Sequence, residues 1–386
     1  MLALWTLIIA TSQTPESVTA EMEALYARYP AFIERSEIGT THLGTPLIAL
    51  RIGSHPEDRS RPAVLLSGCQ HANETSTPLH VLDAARTLLE RRHEAPYSDW
   101  FRQMTLVVVP LVNPDGYVQR TRKNTRPIDD TQRRVGVDLN RNYPFGWHKA
   151  PTRFTSADPN SRFFRGPSPG SEPEVQAIMD LARRERFVAA INYHSAATKL
   201  IVPYSAPGVI EQPQLPWEVA EAMLDALPHR FRGRRYRATR GLYPVSGGEK
   251  DWLFHEFGTL AYVLELPYRR PEGARLDESI THSRGAWETL FSRFVSGPSV
   301  SVRVQTPSRR PVDATVELLY PTGERVSRQR TNPQNGWYHT YMPSTDALLV
   351  RVEAGGAIRD IPLSVTGENQ TLTVLVPDTL PALTLR

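Results

Sequence analysis

Cysteine is almost missing. Cys69 is the only one in 386 residues, so no internal disulfide can form, and cysteine usage gives no pointer to an oxidising compartment. Charge of one sign is scarcely in excess. The 45 Lys and Arg outnumber the 41 Asp and Glu by 4, too little to argue for nucleic acid or a membrane surface as partner. Long apolar runs are lacking as well. Leu2 to Ala10 is apolar, but a bilayer span takes about 20 residues, so no stable membrane insertion is expected. No Lys or Arg precedes Arg28, so the charged leader of a signal peptide is missing, although Ala10-Thr11-Ser12 offers small residues at a cleavage position. An atypical signal or N-terminal segment over 1–13, and with it a secreted or periplasmic protein, is the expectation. A cytoplasmic protein with a packed N-terminal segment is the alternative. The length favours two domains.

What is present centres on Leu65-Leu66-Ser67-Gly68-Cys69-Gln70-His71-Ala72-Asn73-Glu74. Ala63 to Leu66 reads as a buried strand that stops at Ser67-Gly68. A helical pattern follows, with Leu79, Leu82, Ala85, Leu88 and Leu89 at three- and four-residue steps. His71 and Glu74, three apart at a strand end, lie close enough to hold one ion. Zn²⁺ takes imidazole nitrogen and carboxylate oxygen, and a catalytic site uses three protein ligands and a water. His194 supplies the third from the end of a second apolar strand, Phe187 to Ser195, since sites in open α/β sheets lie at strand C-termini. A lone His-x-x-Glu is weak on its own. Cys69 reads either as a soft ligand or as a small buried residue under the metal loop.

Further strands are expected over Phe32–Gly39 and Pro46–Ile52, paired around a Gly44 turn, and over Met104–Pro110 and Leu260–Leu266. Helices are expected over Glu16–Tyr29, with Val18, Met22, Leu25 and Tyr26 inward, from a capping box at Ser171 and Glu174, over Pro216–Leu227, and over His282–Phe294. Asn113-Pro114-Asp115-Gly116 reads as a turn, and Gln119–Arg134 as a basic surface loop. Apolar strands alternating with helices mean an α/β fold whose mixed, largely parallel sheet is flanked by helices. From about 297 the pattern changes to short strands: Ser299–Val304, Thr315–Leu319, Trp337–Met342, Leu348–Val352, Ile358–Val365 and Thr371–Val376. That spacing reads as a small all-β sandwich.

The motifs occur in an order similar to that of the zinc carboxypeptidases of the funnelin type. They are His71-x-x-Glu74, Asn113-Pro-Asp-Gly-Tyr117, Arg122-Lys123-Asn124, Val137-Asp-Leu-Asn-Arg-Asn142, Ser171-Glu-Pro-Glu174, His194, Tyr243-Pro-Val-Ser-Gly-Gly248 and Leu264-Glu265-Leu266. The resemblance runs from about residue 15 to about 296. Asn73 stands where the digestive members carry Arg, and resembles the regulatory and some bacterial branches. The resemblance implies a catalytic domain over 14–296 and one zinc ion on His71, Glu74 and His194. The tail, 297–386, resembles the transthyretin-like domain of the regulatory carboxypeptidases.

Glu265, a charge in an otherwise apolar strand, is the candidate base and acid, and coincides with the family's catalytic Glu. By the same resemblance Arg122 steadies the oxyanion. Arg141, with Asn140 beside it, clamps the substrate's terminal carboxylate, a group that suits a guanidinium fork. Tyr243 closes over the terminus, and Gly241, Gly247 and Gly248 are compatible with a moving loop. Lys250, just before Asp251-Trp252, falls at the base of the pocket for the terminal side chain. An uncompensated buried ammonium is costly, which predicts a preference for C-terminal Glu or Asp unless Lys250 pairs with Glu249 or Asp251. The implied substrate is a peptide or protein C-terminus and the implied enzyme a monomer. Three other readings stand beside it: a metal-free binding module, an amidoacylase, and a cell-wall stem-peptide peptidase of the same fold. Retention of all three ligands and Glu265 disfavours the first. The clamp and Tyr243 disfavour the second.

Overall fold

A computed structural model describes residues 14–126, 136–149, 152–211, 213–228 and 235–378. Segment 1–13 and the second half of the basic loop expected over Gln119–Arg134 lie outside these residues. The chain opens with α1 (Pro15–Arg28), β1 (Ile33–Thr40), β2 (Pro46–Ile52) and β3 (Ala63–Gly68). It continues with α2 (Thr77–Glu90), α3 (Tyr97–Gln103), β4 (Thr105–Val109), α4 (Pro114–Gln119) and α5 (Pro173–Glu185). Then come β5 (Ala189–Ser195), β6 (Lys199–Ile201), α6 (Gln214–Ala226), β7 (Arg237–Thr239), α7 (Glu249–Phe257), β8 (Leu260–Leu266) and α8 (Ala274–Val295).

These strands form one eight-stranded sheet in the order β1-β2-β4-β3-β5-β8-β6-β7. The four central strands, β4, β3, β5 and β8, run parallel, and β2 and β6 flank them antiparallel. Side chains alternate between two apolar layers, as a strand buried on both faces requires. Val64, Leu66, Leu106, Val108, Ile191, Tyr262 and Leu264 face the layer built from α1, α2, α3, α6 and α8. Ala63, Leu65, Val107, Val109, Ala190 and Ala261 face the layer under α5 and α7. By the same alternation Ser67, Asn192, His194 and Glu265 point to the second side, where the sheet ends.

Local chemistry explains several boundaries and corrects others. Thr14 caps α1: its Oγ1 accepts from Ser17 N (3.2 Å) and Ser17 Oγ accepts from Thr14 N (3.1 Å). Val18, Met22 and Leu25 are buried as expected, but Tyr26 is 37% exposed and Tyr29 takes the inward place. The Asn113 motif forms the short helix α4 in place of an open turn. Asn113 Oδ1 accepts from Gly116 N (3.0 Å), and a Cβ on Gly116 would sit 2.6 Å from both that oxygen and Lys123 O, so glycine is required there. The capping box at Ser171 does not form. Glu172 is the residue before α5 and no side chain caps it; Ser171 Oγ donates to Glu172 (2.7 Å) and Glu174 accepts from Asn124 (3.0 Å).

Beyond α8 lie β9 (Ser299–Gln305), β10 (Thr315–Leu319), β11 (Arg325–Arg330), β12 (Trp337–Tyr341), β13 (Ala347–Ala354), β14 (Ala357–Ser364) and β15 (Asn369–Leu375). They make a four-stranded sheet, β11-β10-β13-β14, and a three-stranded one, β12-β9-β15. Both contribute to one apolar cluster that includes Val302, Val316, Val350 and Val374. Tyr341 ties them to the larger sheet's helices, its OH donating to Leu290 O (3.0 Å). Arg293 donates to Pro298 O (3.0 Å), Met342 O (2.9 Å) and Glu218 (2.9 Å).

Candidate active site

The metal loop begins where β3 ends. Cys69 takes a left-handed backbone (φ 62°), uncommon for a side-chain-bearing residue, and its N–H donates to Thr77 Oγ1 (2.9 Å) at the start of α2. This turn carries His71 and Glu74 across the strand end. His194, next to last in β5, meets them. His71 Nδ1 lies 3.1 Å from Glu74 Oε1, and His194 Nδ1 lies 2.9 Å from His71 Nδ1 and 3.1 Å from Glu74 Oε2. All three residues are buried, and their ligand atoms lie within 4.8 Å of one another. Burial lowers the His71 pKa and Arg122 adds to this, which favours the neutral imidazole that a metal needs. Burial opposes ionisation of Glu74, but His71 and His194 overcome it and hold the carboxyl well below its usual range. For His194 burial works downward and the Glu74 charge outweighs it, raising the pKa. Two imidazoles and an ionised carboxylate converging at one buried point fit Zn²⁺. The outer support fits as well: His71 Nε2 lies 3.0 Å from Asp138 Oδ1, the carboxylate–histidine arrangement that orients a ligating ring.

Around this point stand the other expected residues. Glu265 pairs in register with His194 across β5 and β8 and lines the same cleft. Burial and then the Glu74 charge raise its carboxyl to about 7. Arg122 Nε donates to Asp138 Oδ2 (2.8 Å), while its buried Nη2 has no partner. Asp138 therefore links a metal-binding imidazole to a free guanidinium donor. Asn140 and Arg141 sit on a single 3₁₀ turn, Leu139–Arg141. Arg141 Nε donates to Phe154 O (2.6 Å) and Nη1 to Asn140 O (2.6 Å). The Tyr243 ring centroid lies 5.9 Å from the Arg141 guanidinium carbon, and the ring stacks on Phe154, centroids 3.9 Å apart and 17° from parallel. His71, His194, Asn140, Arg141, Tyr243 and Glu265 thus line one cleft, with Arg122 tied to His71 through Asp138.

The sequence matches the zinc carboxypeptidase family over residues 18–283, well over half of the chain. The chain belongs to that family. It is 29% identical over 279 residues to carboxypeptidase B of Bos taurus, covering 68% of this chain and 65% of that one. It is 27% identical over 279 residues to mast cell carboxypeptidase A of Homo sapiens, with the same coverage, 68% and 65%. The solved carboxypeptidase A of Helicoverpa armigera aligns with a TM-score of 0.61 at 26% identity, covering 72% of this chain and 71% of that one. The chain spans 61% to 65% of the length of the first curated relatives it matches. The family match stops ahead of the two small sheets.

This family member departs from the sequence-based expectation at the pocket base. Lys250 does line the cleft, but its ammonium is not without a counter-charge: Nζ pairs with Asp251 Oδ1. The other Asp251 oxygen accepts from the N–H groups of Ser205 (2.8 Å) and Ala206 (2.9 Å). Gly247 meets a backbone requirement of its own. Its φ is +70° and a Cβ would sit 2.2 Å from Arg141 O, while its N–H donates to Phe145 O and its carbonyl accepts from Tyr143 N, both at 3.0 Å. Cys69 is buried, burial pushes its thiol pKa up, and it is no part of the ligand cluster. Two residues escaped the sequence reading. Asp138 lies inside the quoted Val137–Asn142 motif, but its partners are 16 and 67 residues away. Glu249 is 1% exposed, its carboxyl raised to about 7 by burial; its only signal was an acidic residue beside Gly247-Gly248.

Proposed function

We propose that the protein is a zinc-dependent exopeptidase that hydrolyses the C-terminal peptide bond of peptides or proteins. The observation that carries this reading is the shared cleft: the buried His71–Glu74–His194 cluster with Glu265 in register beside His194 and Arg141 opposite. His71, Glu74 and His194 would hold Zn²⁺, which when bound would supply a Lewis acid and lower the pKa of a water towards neutrality. Glu265 takes a proton from the attacking water and returns it to the leaving amine. The free Nη2 of Arg122 donates to the carbonyl oxygen as negative charge develops there. Asn140 and Arg141 hold the terminal carboxylate, and Tyr243, already against Arg141 and Phe154, closes over it.

At the pocket base we propose a preference for a C-terminal Glu or Asp. Pairing with Asp251 weakens the case made from a bare ammonium, but Lys250 has three donors and faces the cleft, so a substrate carboxylate still finds a partner there. Residues 297–386 read as a transthyretin-like sandwich that packs on the catalytic part. A soluble, secreted or periplasmic monomer fits this reading.

The test uses purified, zinc-loaded protein on matched peptides with free and amidated C-termini. Free termini should be trimmed one residue at a time and amidated ones should resist. Equal cleavage of both, or zinc-independent cleavage, would overturn the assignment. Arg141→Ala should raise KM for free-terminus peptides at least tenfold, as loss of a buried charge-assisted contact does.

A further inference from the structure

The mechanism leaves one buried acid unused. Glu249 opens α7 behind the metal site, on the side of the sheet where Ser67 and Asn192 point. Three donors converge on its Oε2: Gln70 Nε2, Tyr143 OH (3.0 Å) and Asn192 Nδ2 (3.1 Å). Ser67 Oγ lies 3.4 Å from Oε1. All four partners are at most 2% exposed. Each belongs to a segment that carries a site residue. Gln70 precedes His71, Asn192 lies two before His194, Tyr143 two after Arg141, and Ser67 is next to last in β3. Glu249 itself precedes Lys250, and its backbone N–H donates to Asn140 Oδ1 (3.0 Å), whose amide nitrogen lies 3.3 Å from His194 Nε2.

The amide orientations show what the carboxylate does. Gln70 and Asn192 both turn their NH₂ groups to Glu249, leaving Gln70 Oε1 and Asn192 Oδ1 buried without partners. A buried amide oxygen without a partner costs roughly 1–3 kcal/mol, so the opposing charge-assisted bonds hold these rotamers in place. A neutral amide of the same shape could still turn its oxygen to the three donors and its NH₂ to Ser67 Oγ, but those hydrogen bonds would lose their charge assistance.

Resting on the zinc carboxypeptidase reading, we propose that Glu249 is the positioning residue that locks the two metal-binding segments to the carboxylate-clamp segment and the pocket base. It touches neither metal nor substrate. It fixes the distance between His71 and His194 through Gln70 and Asn192, and seats Arg141 through Tyr143. Loss of its charge should loosen the ligand set without removing a ligand.

The test compares wild type, Glu249→Gln and Tyr143→Phe. Zinc affinity is measured by competition with a chromogenic chelator, kcat and KM on one free-terminus peptide, and Tm with and without zinc. Wild-type zinc binding and turnover test the proposed function; the ratio of variant to wild type tests Glu249. Glu249→Gln should weaken zinc affinity 10-fold or more, the range expected when a ligand's outer support is lost. It should also shrink the Tm gain on zinc addition and raise KM. Tyr143→Phe removes one donor and should show the same pattern, about threefold, so the proposal stays testable if Glu249→Gln does not fold. A purely structural carboxylate would lower Tm equally with and without zinc. That result, with zinc affinity and kcat/KM unchanged in the folded variants, would overturn the proposal.

Discussion

Glu265 lies in a strand whose other members are all apolar, and its register beside His194 supports the role proposed for it. If Glu265 is the proposed proton carrier, Glu265→Gln should lower kcat by about 10³-fold or more while zinc affinity stays within about twofold, because Glu265 is outside the ligand cluster. Retained turnover would mean another base. The sign of the pH effect follows from its state. A base must be ionised, so kcat/KM should fall as pH drops through the Glu265 pKa. Burial and Glu74 raise that pKa to about 7, and a bound zinc charge pulls it back down, so the acid limb belongs below 7. In Glu265→Gln no residual activity should show that limb. Lys250 is the second informative residue. Exchanging it for Asp places two carboxylates side by side where one ion pair stood, so the pocket should turn from C-terminal Glu towards C-terminal Arg. Peptides differing only in Glu, Leu or Arg at the end check this. An unchanged ranking means that Lys250 serves Asp251 alone.

Legibility varied from element to element for physical reasons. β3, β4, β5 and β8 are buried on both faces and read as near-continuous apolar runs, and the ends of β3 and β5 pointed to the candidate ligands His71, Glu74 and His194, which the fold brings together. α7 was not legible, because Glu249, Lys250 and Asp251 are buried charged residues that break the apolar period of a helix. Lys250 pairs with its neighbour Asp251, but the other partners of Glu249 and Asp251 come from segments 45 to 182 residues away, which no local pattern contains. β6 and β7, three residues each, are too short to show alternation, and β11 carries three Arg in six residues, as an edge strand does. At α5 the sequence pattern misled. Glu174 looks like the partner of a cap but is a fully buried carboxyl bonded to Asn124, with Oε1 unpartnered. Burial raises it to about 8, and Glu172 and Asp115 push the same way. A raised acid keeps in the folded state a proton that the unfolded chain gives up. Its penalty therefore grows as pH rises from about 4.5 to about 8. Glu174→Gln keeps an acceptor for Asn124 and removes the titration. It should stabilise the protein by about 4 kcal/mol at pH 8 and by about 1 kcal/mol at pH 5, read from denaturant melts. A capping role would instead make the variant less stable at both.

At the scale of the whole molecule, the small sheets grip the loop that feeds the metal strand. Asn335 Nδ2 donates to Arg59 O (2.8 Å) and His339 Nε2 lies 2.9 Å from Ser60 O, just ahead of β3. With Nδ1 2.9 Å from Ser301 Oγ, a neutral His339 is satisfied on both sides, donating to the Ser60 carbonyl and accepting from the hydroxyl. Its ring stacks on Trp337, centroids 5.2 Å apart and 13° from parallel. Burial depresses its pKa to about 4. His80, between α2 and α8, is lowered to about 4 for the same reason. A depressed imidazole binds fewer protons folded than unfolded, so stability is complete above about 6.5 and is lost as pH falls towards 4. A shift of this size corresponds to roughly 3 kcal/mol, and partial exposure of the His339 ring reduces its share to about 1–2 kcal/mol. His339→Gln retains a donor and an acceptor but cannot charge. Its Tm should therefore fall by a few degrees less than that of the wild type between pH 7.5 and pH 4.5, while His80, present in both, cancels from the comparison. Because the affected contact holds the loop before β3, the wild type should also lose zinc to a chelator faster at pH 4.5, relative to pH 7.5, than His339→Gln does. If the two proteins lose stability and zinc in parallel over this range, His339 is not the acid-sensitive joint between the small sheets and the metal strand.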